Sequence, residues 1–252
     1  MLSQSKVNRI SKFDREMLTE PLTVRIVFQK TGNLQYFSHL DLQRTWQRVL
    51  VRASIPMWYT QGFNPHSKIT FGVPLPVGSE GMNEMVDLRI DRKITCAEIK
   101  NQLNAELTGE MQVSEVYIPK TSFSDIAWGT YEMTIKTPGD PIDLAKAINA
   151  LFTEDAEPIV MTKRSKSGDK EVNILPMIHS VKATADQNGL IHLRATLRAG
   201  NTENLNPEYL IKAMRDQLGI LPEDGETDKV WYRILRTGFH DEKGVAVGKW
   251  FR

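Results

Sequence analysis

The sequence has very little cysteine: Cys96 is the only one among 252 residues. A single cysteine cannot form a disulfide within the chain. It also cannot supply the several thiolates that hold an iron–sulfur cluster or a structural zinc ion of the CxxC type. These cysteine-based centres are therefore excluded for one copy of this chain.

Long apolar runs are also missing. No stretch approaches the roughly 18 consecutive apolar residues of a membrane-spanning helix, and the start MLSQSKVNRISKFDRE lacks the hydrophobic run of a signal peptide. We therefore expect a cytoplasmic protein with no membrane partner. Residues 1–20 are mostly polar and are expected to form a flexible N-terminal extension.

The chain has almost no excess of charge, because 32 basic residues oppose 31 acidic ones for a net charge of +1. A site for a polyanion must therefore be a local patch. The sequence also has no GxGxxG or P-loop motif and no Ser-His-Asp order typical of a hydrolase. We expect no cofactor, and the case for an enzyme is weak.

Most of the unusual residues lie in one stretch, from Arg25 to Gly78. Alternating apolar residues at 24, 26 and 28 predict a half-buried strand, which a Thr-Gly-Asn turn ends. Ser38 then precedes an apolar run of helical period, with Asp41 three places later in the manner of a capping box. The pattern predicts a helix over residues 39–53 with Leu42, Trp46, Val49 and Leu50 buried on the sheet.

Arg44, Arg48 and Arg52 recur every four residues on another face of this helix. Like charges at this spacing repel by roughly 0.2–0.5 kcal/mol per pair unless an acidic group lies over them. One interpretation is a phosphate-binding stripe; the other is pairing with acids such as Glu80 or Glu84 from the following turn. Both remain open at this point.

The segment YTQGFNPHSK follows the helix and combines turn formers with hydrogen-bonding and aromatic side chains. It is typical of a recognition loop. Phe63 and Tyr59 could stack on a base or close a hairpin. The side chains expected to contact RNA are those of Tyr59, Gln61, Asn64 and Lys68.

The residues KTG, SHLDL, GFNPH and PLPVG, in this order and followed by a strand with Asp87, carry a family resemblance. The chain resembles the radical-SAM-linked proteins, a bacterial family with a domain of unknown function that occurs beside, or fused to, B12-binding radical SAM proteins. The resemblance covers roughly residue 24 to the end. It implies a radical SAM protein as partner, and Cys96 alone means that this chain cannot be the radical SAM enzyme itself.

The coarse element order is β-α-β-β-α-β, and it occurs twice, which predicts an α+β protein of two tandem ferredoxin-like domains. Turn formers at 119–130 suggest the boundary between domains at 21–120 and 121–252. In the second domain the predicted strands cover 131–137, 158–165, 190–198 and 229–236. A long polar insertion follows the second of these strands.

This insertion begins with KRSKSGDK, which holds Lys163, Arg164, Lys166 and Lys170. A run of charges is usually a solvated surface, here a hairpin tip. The alternative is a loop that binds phosphates, which would give affinity without sequence information.

The candidates for acid–base chemistry in the first half are His39, Asp41 and His66. Two histidines and a carboxylate can hold a metal if they fold together, but their spacing is not a known ligand pattern, so we expect no metal site. Asp41 is explained first as a helix cap.

Two functions remain from the sequence. The first is an accessory protein that binds RNA or presents a substrate to a radical SAM enzyme, in tRNA or rRNA modification. The second is a stand-alone RNA-modifying enzyme, similar in plan to some pseudouridine synthases, with a site at the SHLD and GFNPH loops. Convergence of the three catalytic candidates in one pocket would favour the second.

Overall fold

A computed structural model describes residues 14–153, 155–165, 168–200, 203–222, 226 and 228–247, without the side chains of 163–165. Most of the N-terminal extension, residues 1–13, lies outside this description. The chain divides after Ser122 into two compact units. Both units are α+β and are described separately below as the first and the second unit.

The described residues of the first unit form four strands and two α-helices: β1 Met17–Lys30, α1 His39–Arg52, β2 Ile69–Phe71, β3 Ser79–Arg92, α2 Cys96–Asn104 and β4 Val113–Tyr117. The strands lie in the order β4-β1-β3-β2, and every neighbouring pair is antiparallel. Because β1 begins at Met17, the last four residues assigned to the flexible extension belong to a strand, where Met17 pairs with Arg92.

The helices of the first unit begin at side-chain caps. Ser38 accepts the Asp41 backbone N–H at 3.2 Å, and its hydroxyl donates to the Asp41 carboxylate at 2.6 Å. Thr95 and Glu98 form a complete capping box at the start of α2. Such caps satisfy backbone donors that have no partner within the helix.

The core of the first unit lies between these helices and one face of the sheet. The burial predicted for α1 is confirmed, since four of its apolar residues are buried: Leu42, Trp46, Val49 and Leu50. The Trp46 ring packs edge-on against Phe28 of β1, with ring centroids 4.9 Å apart. Trp46 is therefore part of the core, and it does not present its ring to a ligand.

The second unit contains β5 Trp128–Lys136, α3 Pro141–Leu151, β6 Val160–Ser165, β7 Gly168–Asn173, β8 Ile178–Ala185, β9 Ile191–Arg198, α4 Glu208–Leu218 and β10 Trp231–His240. Strands β10, β5, β9 and β8 form an antiparallel sheet in that order. Strands β6 and β7 form a separate two-stranded hairpin.

The second unit differs from the sequence prediction in one strand. The segment 158–165 is predicted to join the main sheet, but within the described residues β6 pairs only with β7, and β8 lies beside β9 instead. The reason is that β8 has a weak apolar pattern, in which Ala183 is its single buried residue. The spacing of apolar residues therefore predicts that the segment of β8 belongs to a polar insertion.

Among the described residues, no helix has both the length and the apolar character needed to cross a membrane. The longest of the helices described, α1, has 14 residues and an exposed basic face.

A half-buried carboxyl in the second unit gives a pH-dependent prediction. Glu208 accepts a hydrogen bond from the Tyr232 hydroxyl at 2.9 Å. Burial raises the pKa of Glu208 above its ordinary value and raises the pKa of Tyr232 to about 12. A carboxyl whose pKa is higher in the folded chain stabilises the fold fully below its unfolded pKa of about 4.3, and this contribution is lost as the pH rises through the folded value.

The variant Glu208→Gln cannot ionise, so we expect it to gain stability relative to the wild type between about pH 4 and about pH 8. Thermal unfolding at both pH values measures this difference. Glu171→Gln, at an exposed position of β7, is the control and should show no such trend. A Glu208→Gln variant that loses stability relative to the wild type over this range would contradict the assignment.

Candidate nucleic-acid interface

The outer face of α1 carries the predicted arginine stripe. Arg44, Arg48 and Arg52 are all exposed, on the side of the helix opposite the buried residues. This arrangement follows from the helical period, because positions four apart share a face while the apolar positions turn towards the sheet.

The acidic partners suggested by the sequence do not reach this stripe. Glu80 and Glu84 are both buried, and Glu80 accepts the Gly32 backbone N–H at 2.6 Å. Arg52 pairs instead with Glu106, at 3.2 Å between Nε and Oε2. Within the described part of the chain, Arg44 and Arg48 make no ion pair or side-chain hydrogen bond.

Two exposed guanidinium groups one helical turn apart, with no carboxylate over them, repel each other slightly. The exposed Gln47 lies between them in sequence. Guanidinium groups bind phosphate in a planar, two-pronged geometry and are less strongly hydrated than ammonium groups. The stripe can therefore accept an anionic ligand without first breaking an internal ion pair at Arg44 or Arg48.

The segment 59–67 projects from the edge of the first unit's sheet. Met57 pairs with Ile90 and Ile69 pairs with Leu88, so the chain leaves β3 and returns to it two residues further along. A Tyr59–Ser67 bridge closes the base of the excursion. Residues 59–67 thus form an edge loop whose two ends are held by the sheet.

Hydrogen bonds close the edge loop across its neck. The Thr60 N–H donates to the His66 carbonyl at 3.0 Å, and the His66 N–H donates to the Thr60 hydroxyl at 3.1 Å. His66 Nδ1 lies 3.1 Å from the same hydroxyl and 3.2 Å from the Asn64 carbonyl. The first explanation of His66 is therefore the shape of the loop.

The tip of the edge loop faces solvent. Phe63 is fully exposed, and Tyr59 is exposed over 42% of its surface. The other predicted contacts are exposed as well: Gln61, Asn64 and Lys68. The exposed Phe63 ring is accessible for stacking on a base.

The three catalytic candidates do not contact one another. His39 packs edge-on against Phe71 of β2 at 5.2 Å, while Asp41 caps α1 and His66 bonds within the edge loop. No hydrogen bond or ring contact among the described residues joins any two of His39, Asp41 and His66. That same part of the chain contains no group of three or more His, Cys, Asp or Glu side chains that could hold a metal.

The Lys163–Lys170 segment forms the β6–β7 hairpin of the second unit, in which Lys163 pairs with Lys170 through the backbone and Gly168 begins the return strand. The side chains of Lys163 and Arg164, and all of Lys166, lie outside the described residues. Lys170 is exposed. Both the solvated tip and the phosphate-binding loop remain open interpretations of this hairpin.

The sequence reasoning missed Arg25, which is 1% exposed in the middle of β1. Its guanidinium binds both carboxylate oxygens of Asp87 on β3, at 2.7 and 2.8 Å, and donates to the Thr121 carbonyl at 3.1 Å. The sequence contains a signal for this pair, because Arg25 lies between Val24 and Ile26 in an apolar strand. A charge buried in such a strand needs a partner. Asp87 is therefore a structural partner of Arg25.

Burial alone lowers the pKa of Arg25, but hydrogen bonds to Asp87 and the charge of that carboxylate outweigh it, so the pKa is raised. Burial also raises the pKa of Tyr117, which lies directly opposite Arg25 on β4. This guanidinium stays charged at any physiological pH, so it is a fixed element of the sheet and not a switch.

These features define an α+β protein whose first unit presents a basic helix face and an exposed aromatic loop. A family model described as an uncharacterized protein conserved in bacteria (DUF2344) matches residues 23–207. The match covers more than half of the sequence, so the chain belongs to this family. A search of the curated proteins finds no match.

One solved structure similar to this chain is the crystal structure of an unknown protein from Galdieria sulphuraria. It shares 9% identity over 86% of this chain and 99% of its own, with a TM-score of 0.24. A similarity at this level supports no conclusion about fold or function.

Replacing Asp87 tests the structural role of the buried pair. Asp87→Ala leaves Arg25 buried without its carboxylate and should lower the free energy of unfolding by about 3 kcal/mol. Urea denaturation measures the loss, with Glu115→Ala, at an exposed position of β4, as the control. A loss below about 1 kcal/mol would show that the pair contributes little.

The edge loop should tolerate substitution. His66→Ala and Asn64→Ala remove exposed, local interactions, so each should cost no more than about 1 kcal/mol of unfolding free energy. If the loop is a binding surface, the same variants lose binding. A loss of several kcal/mol would instead make His66 a structural residue.

Proposed function

We propose that the protein is an accessory factor that binds RNA, or presents it as substrate, for a radical SAM enzyme in tRNA or rRNA modification. We also propose that each unit is a ferredoxin-like domain. The element order β-α-β-β-α-β and the strand order β4-β1-β3-β2 support this for the first unit. The order β10-β5-β9-β8 supports it for the second, with the β6–β7 hairpin as an insertion.

The observation that carries the RNA proposal is the state of Arg44 and Arg48, which are exposed and have no acidic partner among the described residues. Arg52 illustrates the contrast, because it is neutralised by Glu106. Phosphates would supply the missing negative charge and release their counterions.

The edge loop would supply the second half of the interaction. Phosphate contacts give affinity and orientation, whereas bases are recognised by stacking and by hydrogen bonds to their edges. Phe63 and Tyr59 offer rings for stacking, and the Gln61 and Asn64 amides offer both donors and acceptors. RNA exposes unpaired bases in loops and bulges, so it fits this combination better than duplex DNA.

The radical SAM partner is inferred from the resemblance in the KTG, SHLDL, GFNPH and PLPVG motifs. With Cys96 alone, the chain needs another polypeptide to supply the cluster. A stand-alone RNA-modifying enzyme remains the second hypothesis. It receives less support, because His39, Asp41 and His66 make separate local contacts.

The salt dependence of RNA binding tests the proposal. Fluorescence anisotropy with a labelled tRNA should give an affinity that falls roughly 10²- to 10³-fold between about 50 and 200 mM salt, as expected for about four to six phosphate contacts. The variant Arg44→Ala/Arg48→Ala should bind more weakly, and its slope of log affinity against log salt should be shallower by roughly 1.4 to 1.8.

The matched control is Lys146→Ala/Lys212→Ala, which removes the same charge from exposed lysines on helices of the second unit. Each of these lysines is already paired, with Asp143 and Asp216 respectively. The control should bind as the wild type does. If tRNA and rRNA fragments bind the wild type no better than they bind the arginine variant, the RNA proposal fails, and docking of a partner's carboxylates onto the arginine stripe becomes the better explanation.

Recovery of the protein from cells after crosslinking tests the partner. We expect RNA, and a protein with a radical SAM cysteine motif, to be enriched over a control protein of neutral charge. RNA turnover by the purified chain alone, abolished in His39→Ala or Asp41→Asn, would instead support the enzyme hypothesis.

A further inference from the structure

The second unit contains a cleft of about 470 Å³ that the proposed function does not use. It lies on the polar side of the β10-β5-β9-β8 sheet. Its wall includes Trp128 and Thr130 of β5, His179 of β8, Arg194 of β9, His240 of β10 and Lys243 of the following turn. A volume of this size is typical of small-molecule sites.

The alternation of the strands explains why this side of the sheet is polar. On β9, Leu193 and Ala195 are buried in the core, so Arg194 and Thr196 point to the other side. Thr130 lies opposite Thr196 on β5 and therefore shares that side. Hydroxyl and guanidinium groups thus line the floor of the cleft.

Arg194 is the main cation of the cleft. It is exposed, and within the described part of the chain it makes no ion pair or hydrogen bond through its side chain. The one carboxylate in the wall, Glu242, is bound by Arg198 at 2.6 Å. Arg198 also contacts Glu203 at 3.6 Å, so Glu242 shares this cation with a second carboxylate. The site offers the Arg194 guanidinium without an ion pair, while Glu132 faces it from β5.

The rim that carries Lys243 is held in place. The Asp241 carboxylate accepts the Lys243 and Val245 backbone N–H groups at 2.9 and 2.8 Å, and the Asp241 N–H donates to the Val245 carbonyl at 3.0 Å. The backbone of Lys243 is thus held by a tight turn. A preorganised rim lowers the entropy cost of binding a ligand.

One end of the cleft is aromatic, with the rings of Trp128 and His179 tilted by 49° to each other. Arg198 packs over the Trp128 ring at 4.0 Å, and the centroid of the His179 ring lies 5.3 Å from that of Trp128. The stacked Arg198 fixes the orientation of the indole, while the exposed His179 ring remains accessible from the cleft. Planar heterocycles stack on such side chains.

We propose that this cleft binds a nucleoside phosphate, with the phosphate at Arg194 and Lys243 and the base against His179 and Trp128. The proposal does not depend on the RNA-binding role of α1, because the two sites share no residue. The shared chemistry fits either a free nucleotide or one nucleotide of an RNA strand, and the binding experiment distinguishes these sources.

Isothermal titration calorimetry with AMP, GMP, CMP and UMP as probes tests the proposal. At least one nucleotide should bind with one-to-one stoichiometry, and Arg194→Ala should weaken its binding at least about tenfold, as for loss of one charge-assisted contact. Lys146→Ala, which removes one positive charge from α3, is the control and should leave the affinity unchanged. His179→Ala should weaken binding of the same nucleotide.

The parent nucleoside and inorganic phosphate separate the two halves of the site. Each should bind at least about tenfold more weakly than the nucleotide. A nucleoside that binds equally well would overturn the phosphate assignment, and phosphate that binds equally well would overturn the stacking assignment. No binding of any nucleotide at millimolar concentration, or equal binding to Arg194→Ala, would overturn the proposal as a whole.

A short single-stranded RNA without a terminal phosphate identifies the source of the ligand. If it displaces the bound nucleotide in wild type, the cleft takes a nucleotide of an RNA strand; if it does not, the ligand is a free nucleotide. Arg44→Ala/Arg48→Ala should retain nucleotide binding, and Arg194→Ala should retain the salt slope set by α1. Failure of one proposal is thus distinguishable from failure of the other.

Discussion

The first unit depends on the buried ion pair between Arg25 and Asp87. The two residues face each other across β1 and β3, with Tyr117 opposite Arg25 on β4 and Thr70 opposite Asp87 on β2. One polar row therefore crosses all four strands. A shift of one residue between β1 and β3 would leave the buried Arg25 charge without its partner, which costs several kcal/mol. The ion pair therefore fixes the register of β1 against β3.

This register also positions the candidate interface. The edge loop leaves and rejoins the sheet beside β3, so its base is set by the same backbone pairs that place Asp87. The turn before α1 requires glycine at position 32, because Gly32 has a φ of 59°. A Cβ at this position would also collide with the Glu110 side chain. The arginine stripe and the edge loop are thus exposed features on a rigid support, and rigidity limits the entropy lost on binding.

The two proposed sites would bind their ligands through different interactions. The stripe on α1 is an open, convex surface, on which counterion release would dominate and specificity would come from the edge loop. The cleft of the second unit is concave and combines one unpaired guanidinium with hydroxyl groups and two aromatic rings. A concave site of this composition favours a compact ligand, because it surrounds both the charge and the ring.

The sequence by itself determined the features that depend on local periodicity. The Ser38 cap, the buried and exposed faces of α1 and the capping box at Thr95 all follow from residues within a few positions of one another. Local periodicity does not identify β8, whose apolar pattern is too weak to distinguish it from a polar insertion. Its place in the sheet is set by pairing with β9.

Only the tertiary structure decided which charges are neutralised. It paired Arg25 with Asp87, which is 62 residues away, and Arg52 with Glu106, while Arg44 and Arg48 received no acidic partner among the described residues. It also gathered Arg194, His179 and Trp128 from three strands into one cleft. Pairing across a sheet depends on register and strand order, and neither is encoded in the neighbourhood of any single residue.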